Sequence, residues 1–328
     1  MLHTGVVSEA APPVYDLDGA ERLRRLEAVC RRDLSMLTGL DGSAVGRGLL
    51  DIVLGSRVRR FARSMATFNE DLDEYGLATA ARTLCAHYGG SVVAEGAEQV
   101  PDDGPVLLVA NHPGLMDTLA LYATMPRPDI RALARPQPLL ILLSALAPHL
   151  LMLPDEGPSR AGGLREVLRT LRLGGALVLF PAGHLEPEPA RFCHERRSGS
   201  PPSEPLEPWS SGVGTLVRLA ARQGVPLQVV PTSIAGVLSE ATARRFGPLI
   251  RLRRTLRGRE DLTAVVQVAF PSLGPTTIRV RYGCPLSAEE LAADRADADT
   301  ITARVRAAVA AQLLPAGAAI APTSLRIG

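Results

Sequence analysis

Val106 to Met125 reads VLLVANHPGLMDTLALYATM, and this stretch decides the fold. An apolar run from Val106 to Ala110 stops at Asn111-His112, Pro113-Gly114 turns the chain, and apolar residues then recur at helical spacing. The pattern is a strand, a tight corner and a helix. Proline suits the first helical turn, where its missing N–H has no partner anyway, so Pro113 is placed near the helix start with His112 just outside. Inside one regular helix, at about 100° per residue, His112 and Asp117 would point apart. With His112 on the corner, the carboxylate one turn in reaches back to the imidazole. Such a corner also leaves backbone N–H groups that can stabilise negative charge, and Gly114 and Leu115 are the candidates because Pro113 has none to offer.

Composition bounds the rest of the chain. Its 328 residues are 46% hydrophobic and 21% charged, enough for one large α/β domain with an appendage or for two domains. All 36 basic residues are Arg, which reads as a bias of the whole coding sequence. With a net charge of only +2, Arg richness is no argument for nucleic acid. Four dispersed cysteines, with no C-x-x-C pair, fit a reduced cytoplasmic protein. The N-terminus lacks the basic start and long apolar core of a signal peptide. Leu139 to Leu153, the most apolar window, is too short to span a bilayer and is interrupted by Pro148. It is expected to be a buried helix, with an interfacial membrane contact as the alternative.

In chain order, residues 1–19 look extended or disordered, and residues 20–89 form a helical segment with helices over Glu21–Leu37, Leu49–Phe68 and Leu72–Tyr88. The basic faces of these helices suit either packing on the next domain or contact with anionic lipid. Residues 90–314 form the main domain. Its expected strands are Ile130–Arg135, Leu150–Asp155, Ala176–Phe180 and Val225–Pro231, followed by a pair at Val265–Phe270 and Thr277–Tyr282. Its helices are Leu164–Leu173, Val213–Gln223 and Thr300–Leu314, and Ser287 with Glu290 forms a capping box for a further helix. Residues 186–208, rich in Pro, Glu, Ser and Arg, read as a mobile insert and a candidate lid, and residues 315–328 as a loose tail. The seven arginines of Ala243–Glu260 suit anionic head groups or a solvated linker equally well.

The run Asn111 to Asp117, N-H-P-G-L-M-D, resembles the His-x4-Asp motif of the glycerolphosphate and lysophospholipid acyltransferase family, and its lead-in, VVAEGAEQVPDDGP from Val92 to Pro105, is similar to that family's. Phe180-Pro181-Ala182-Gly183 resembles the second signature, F-P-E-G-T-R, with Ala182, His184 and Leu185 in place of Glu, Thr and Arg. The resemblance covers about two thirds of the chain. It implies an α/β fold with a mainly parallel or mixed sheet flanked by helices.

It further implies transfer of a fatty acyl group from acyl-CoA or acyl carrier protein to a lysophospholipid or glycerolipid hydroxyl. His112 would act as general base and Asp117 would orient it, with no cofactor or metal required. Substrate contacts are implied for Asn111, Pro113, Gly114, Arg135, Phe180, Pro181, Gly183 and His184, and for Pro231 at the acyl pocket. The family's phosphate-gripping Arg is missing, since Asp155 stands in its place, and Arg160 is the nearest substitute. That departure leaves two other readings open: a catalytically idle lipid binder, and an amino-lipid or glycolipid acceptor. Hydrolysis by the same His-Asp pair is a third. Alternation of His184, Glu186 and Glu188 invites a metal reading, but Pro187 and Pro189, each following a glutamate, argue against a ladder strand and favour a solvated loop. A cytoplasmic enzyme peripheral to the membrane, with no nucleic-acid partner, is the resulting expectation.

Overall fold

The computed structural model describes residues 17–38, 44–154, 156–189, 206–246, 256–273 and 275–313. The extended N-terminus up to residue 16, the heart of the insert (190–205), most of the arginine-rich segment (247–255), Asp155 and the tail from 314 lie outside the described residues.

Three helices come first: α1 (Gly19–Thr38), α2 (Ala44–Tyr75) and α3 (Leu77–His87). The sequence placed a break near Phe68, yet α2 runs on to Tyr75. The chain turns only at Gly76, whose φ of 77° is open to glycine at little cost. The sheet then builds from β1 (Gly90–Glu95), β2 (Val106–Ala110), β3 (Arg131–Ala134), β4 (Leu150–Met152), β5 (Ala176–Leu179), β6 (Gln228–Ala235), β7 (Thr276–Tyr282) and β8 (Leu286–Ser287). Between the strands lie α4 (Asp117–Thr124), α5 (Pro138–Ile141), α6 (Pro158–Arg172), α7 (Gly212–Arg222), α8 (Glu240–Arg245) and α9 (Leu256–Ala269). Then come α10 (Ala288–Leu291) and α11 (Ala298–Leu313).

Strand order is β1-β7-β6-β2-β5-β3-β4, with β8 beside β6. The five strands β6, β2, β5, β3 and β4 run parallel, while β7 and β8 pair antiparallel with β6. The sheet is therefore mixed. β2 sits in its centre with all five residues buried, as a strand covered on both faces requires. Alternate side chains of β2 serve opposite faces. Val106, Leu108 and Ala110 join a core with α1 to α4, and Leu107 and Val109 join one with α6, α7, α10 and α11. The N-terminal helices therefore share a hydrophobic core with the sheet: Leu26, Phe68 and Leu84 pack in the same cluster as Leu121 and Val178.

Three expectations are corrected here. Val265–Phe270, expected as a strand, is the end of helix α9. Its β-branched run buries Ala264, Val266 and Gln267 on one face, so packing overrides strand propensity. The apolar window Leu139–Leu153 is no single helix. It divides into α5, a 3-10 turn at Ser144–His149 that carries Pro148, and β4. Pro231, read as closing its strand, lies in the middle of β6. Gln228 donates its N–H to Pro105, so the N–H side of residue 231 faces the other way, toward the break between β7 and β8. A missing donor is tolerated at that break, where Gly283 N–H and Gln312 Nε2 donate to the Pro231 carbonyl.

Ser287 caps α10 by accepting the Glu289 N–H at 3.2 Å. Among the described residues, no helix is long and apolar enough to cross a membrane.

Candidate active site

Parallel strands β2, β5 and β6 end at one edge of the sheet, the usual place for a site in an α/β fold. At that edge the chain leaves β2 through residues 111–116 and enters α4 at Asp117. The helix thus starts four residues after Pro113, later than expected, and Asp117 sits in its first turn, where a negative charge is favoured.

Asn111 continues the β2–β6 ladder after the backbone pairing ends. Its Nδ2 donates to the Ile234 carbonyl and its Oδ1 accepts the Ile234 N–H, both at 2.8 Å. Both ends of this buried amide are used to staple two strands. Pro113 and Gly114 are buried as well. A Cβ on Gly114 would come within 2.6 Å of Val237 Cγ1, so glycine is what lets the corner press against the β6–α8 loop.

His112 Nδ1 lies 2.6 Å from Asp117 Oδ2. The Asp117 side chain is fully buried, while that of His112 is 24% exposed. Gly114 N–H also donates to Oδ2 at 3.2 Å, and the Thr118 N–H and hydroxyl donate to Oδ1 at 2.6 and 3.2 Å. Four donors thus converge on the acid, and an ionised carboxylate accepts from all of them. An ionised carboxylate in this place favours the tautomer with the imidazole proton on Nδ1 and the lone pair on Nε2. The arrangement also corrects one expectation: the Gly114 N–H is committed to Asp117, which leaves Leu115 of the two oxyanion candidates.

The ring of His112 stacks on Phe180, with centroids 4.5 Å apart and planes 25° from parallel. Phe180 directly follows β5, so the sheet itself brings the F-P-x-G segment to the corner. Gly183 closes a turn onto the Phe180 carbonyl with φ 69°, and Arg135, at the end of β3, donates to the Gly183 carbonyl at 2.9 Å. His184 Nε2 is 3.2 Å from Glu207 Oε2, and the Pro181 carbonyl accepts from Ser210. Arg160 is exposed at the start of α6 and reaches the Pro154 carbonyl. Pro231 lies within β6, beside Val109.

The largest departure from expectation concerns Glu186 and Glu188. Neither is solvated, and both side chains are fully buried. Glu186 Oε2 accepts the His112 backbone N–H at 3.0 Å, and its Oε1 accepts the Glu207 N–H and the Trp209 indole N–H, each at 3.2 Å. The Glu186 N–H in turn donates to the His112 carbonyl at 2.7 Å. Burial pushes the Glu186 carboxyl above the usual range, and the N–H donors of His112, Trp209 and Glu207 oppose that shift. Glu188 accepts three successive backbone N–H groups, from Gly236, Val237 and Leu238, at 2.8 to 3.0 Å.

Both carboxylates are taken up by N–H donors, which removes the metal reading for this stretch. Among the described residues no cluster of His, Cys, Asp and Glu is arranged to hold a metal ion. Beside the corner, Leu115 and Met116 face Val237 and Leu238 across a shallow, mainly apolar groove, with Tyr88 and with Ala264, Gln267 and Val268 of α9 on its far wall.

The family model for acyltransferases matches residues 91–235, a span holding the His112–Asp117 corner, Phe180-Pro181-Ala182-Gly183 and β6. Those residues are an acyltransferase-family domain. Among solved structures, the chain is similar to the crystal structure of the 1-acyl-sn-glycerophosphate (LPA) acyltransferase PlsC from Thermotoga maritima. That similarity has 14% identity and a TM-score of 0.40, covering 89% of this chain and 97% of that one. A search among curated proteins finds no match. Within the acyltransferase domain, the residues that sequence reasoning missed are Glu186, Glu188, Trp209 and Thr118. Of these only Thr118 adjoins the recognised motif; the others act through partners distant in sequence.

Proposed function

We propose that the protein moves a fatty acyl group from a thioester donor, acyl-CoA or acyl carrier protein, onto the hydroxyl of a lysophospholipid or related glycerolipid. The observation that carries this reading is the 2.6 Å contact between His112 Nδ1 and the buried Asp117 carboxylate, at a corner open to solvent within an acyltransferase domain.

His112 Nε2 takes the proton of the acceptor hydroxyl as that oxygen attacks the thioester carbonyl. The imidazolium is stabilised by Asp117, the C–S bond breaks, and the leaving thiolate takes up the proton. Neither a metal nor an organic cofactor has a step to perform, because the thioester supplies the driving force. Phe180 fixes the ring plane, and the shallow apolar groove beside Leu115 and Met116 is the surface along which the fatty tail approaches. For the acceptor head group, Arg135 and His184 are the basic side chains borne on the F-P-x-G turn or bonded to it.

The acceptor lipid reaches the site from a membrane surface. Met36, Ile52 and Val53 are exposed apolar residues on α1 and α2, with Arg31, Arg32 and Arg57 on the same helices. That combination suits the interface of an anionic bilayer.

The test is to incubate the purified chain with acyl-CoA or acyl-ACP, with and without 1-acylglycerol-3-phosphate, and to follow thiol, free fatty acid and diacyl product. Acceptor-dependent thiol release matched by diacyl product is expected. Equal thiol and fatty acid release without acceptor would make the protein a hydrolase. Binding without turnover, across phosphate, amino-lipid and glycolipid acceptors, would make it an idle homologue.

A further inference from the structure

The catalytic corner of this chain is held from behind by a carboxylate outside both recognised motifs. We propose that Glu186 is a positioning residue for the acyl-transfer reaction: it clamps the His112 peptide unit and so sets the imidazole against Asp117 and Phe180. This inference rests on the acyl-transfer reading for its kinetic consequence, and on geometry alone for the clamp.

The clamp acts on both sides of one residue. The Glu186 side chain takes the His112 N–H at 3.0 Å and the Glu186 main chain gives its own N–H to the His112 carbonyl at 2.7 Å. With both backbone groups of His112 engaged, the residue's φ and ψ are held, and with them the direction of its Cα–Cβ bond. That direction carries it to Asp117 and onto Phe180. Ala182 places no carboxylate inside the F-P-A-G turn itself, and the chain supplies one at Glu186, past the turn. Trp209, just ahead of α7, holds the opposite oxygen of Glu186 together with the Glu207 N–H, so the carboxylate cannot swing away. Burial of Glu186 is complete, and every donor around it is an N–H. The arrangement is therefore specific for a group that accepts through both oxygens. A displacement of about 1 Å in a reacting group costs on the order of 100-fold in rate, so a device that removes such freedom belongs to catalysis as well as to stability.

The charged groups near Glu186 are His112 ahead of it, His184 on its own segment, and Glu207 across from it. None of them can replace its acceptor role toward the His112 N–H, because each is already paired elsewhere.

Glu186→Gln tests the proposal. Two donors face Oε1 and one faces Oε2, so the amide turns its oxygen to Glu207 and Trp209 and sets its NH2 against the His112 N–H. Leu171→Ala is the comparison, since it opens a cavity in the core at the far end of α6 and touches none of the groups around Glu186 or His112. Expected for Glu186→Gln is a fall in kcat of about 10- to 100-fold with KM within about twofold. Leu171→Ala keeps kcat within about threefold at a comparable loss of melting temperature.

The imidazole signals of 15N-histidine-labelled protein, with His112 assigned by His112→Ala, should move in Glu186→Gln and stay in place in Leu171→Ala. This second readout needs no substrate. An inactive wild type would sink the acyl-transfer reading, and the imidazole signals would still decide the clamp. Folded Glu186→Gln with wild-type kcat or unmoved His112 signals overturns the proposal. So does a Glu186→Gln chain that cannot fold, or activity lost in both variants in proportion to stability, because either assigns Glu186 to stability alone.

Discussion

Replacing Asp117 by Asn keeps the volume of the side chain and removes its charge, and the hydrogen bonds around it set the outcome. Oδ2 accepts from His112 Nδ1 at 2.6 Å and from the Gly114 N–H at 3.2 Å, while Oδ1 accepts from the Thr118 N–H at 2.6 Å and from its hydroxyl at 3.2 Å. An amide has one acceptor end. Turned one way, its NH2 meets the Thr118 N–H. Turned the other way, it meets the Gly114 N–H and donates to His112 Nδ1, which moves the imidazole proton to Nε2 and leaves no base facing the acceptor.

Either choice strands a buried donor, at a cost of about 1–3 kcal/mol in stability. The second also removes general-base catalysis, which contributes about 100- to 10,000-fold. Asp117→Asn is therefore expected to fold with a lowered melting temperature and to lose about 1,000-fold in kcat, or about 4 kcal/mol of barrier. Steady-state thioester consumption, measured with a thiol reagent beside thermal unfolding, checks both. A variant that keeps a tenth or more of the wild-type kcat would refute the reasoning, because the tautomer would then not be set by this carboxylate.

Three further outcomes follow from the same contacts. Asn111→Ala strands the buried N–H and C=O of Ile234 and should cost about 2–4 kcal/mol, read from the urea midpoint, with the slope unchanged. Glu188→Ala releases the N–H groups of Gly236, Val237 and Leu238 at the wall of the apolar groove. It should raise KM for the long-chain donor more than it lowers kcat, which a series of acyl-CoA chain lengths would reveal. Ile52→Asp with Val53→Asp, at residues 84% and 53% exposed, should leave folding intact and abolish flotation with anionic vesicles. Deleting the N-terminal helices is not an equivalent experiment, since Leu26, Phe68 and Leu84 share a core with the sheet.

What could be read in the sequence was whatever is written locally. The Val106–Ala110 run, the Pro-Gly corner and the apolar spacing beyond it fix a strand, a corner and a helix by neighbouring residues alone. Phe180 beside His112 needed the structure, which sets β2 and β5 side by side and ends both at the same edge. The misreadings share a different cause. Glu186 and Glu188 sit among prolines and polar residues, and nothing nearby announces that they are buried. Their partners include backbone N–H groups 74 and 48 to 50 residues away, and for Glu186 also the Glu207 N–H and the Trp209 indole. Asn111 has the look of a motif residue, and the partner of its amide is Ile234, 123 residues on. Val265–Phe270 is β-branched enough to be a strand, and only the surface available for packing makes it a helix. Pro231 in the middle of β6 is legible only once the break between β7 and β8 is seen beside it.

His112→Ala measures the central claim most directly. It removes the base and leaves the Glu186 clamp, the Asn111 staple and the apolar groove in place, because those use the backbone of residue 112 or other residues. The variant should unfold at close to the wild-type temperature, still float with vesicles if the wild type does, and form diacyl product at less than a thousandth of the wild-type rate. Product formation at the wild-type rate by the folded variant would contradict the account.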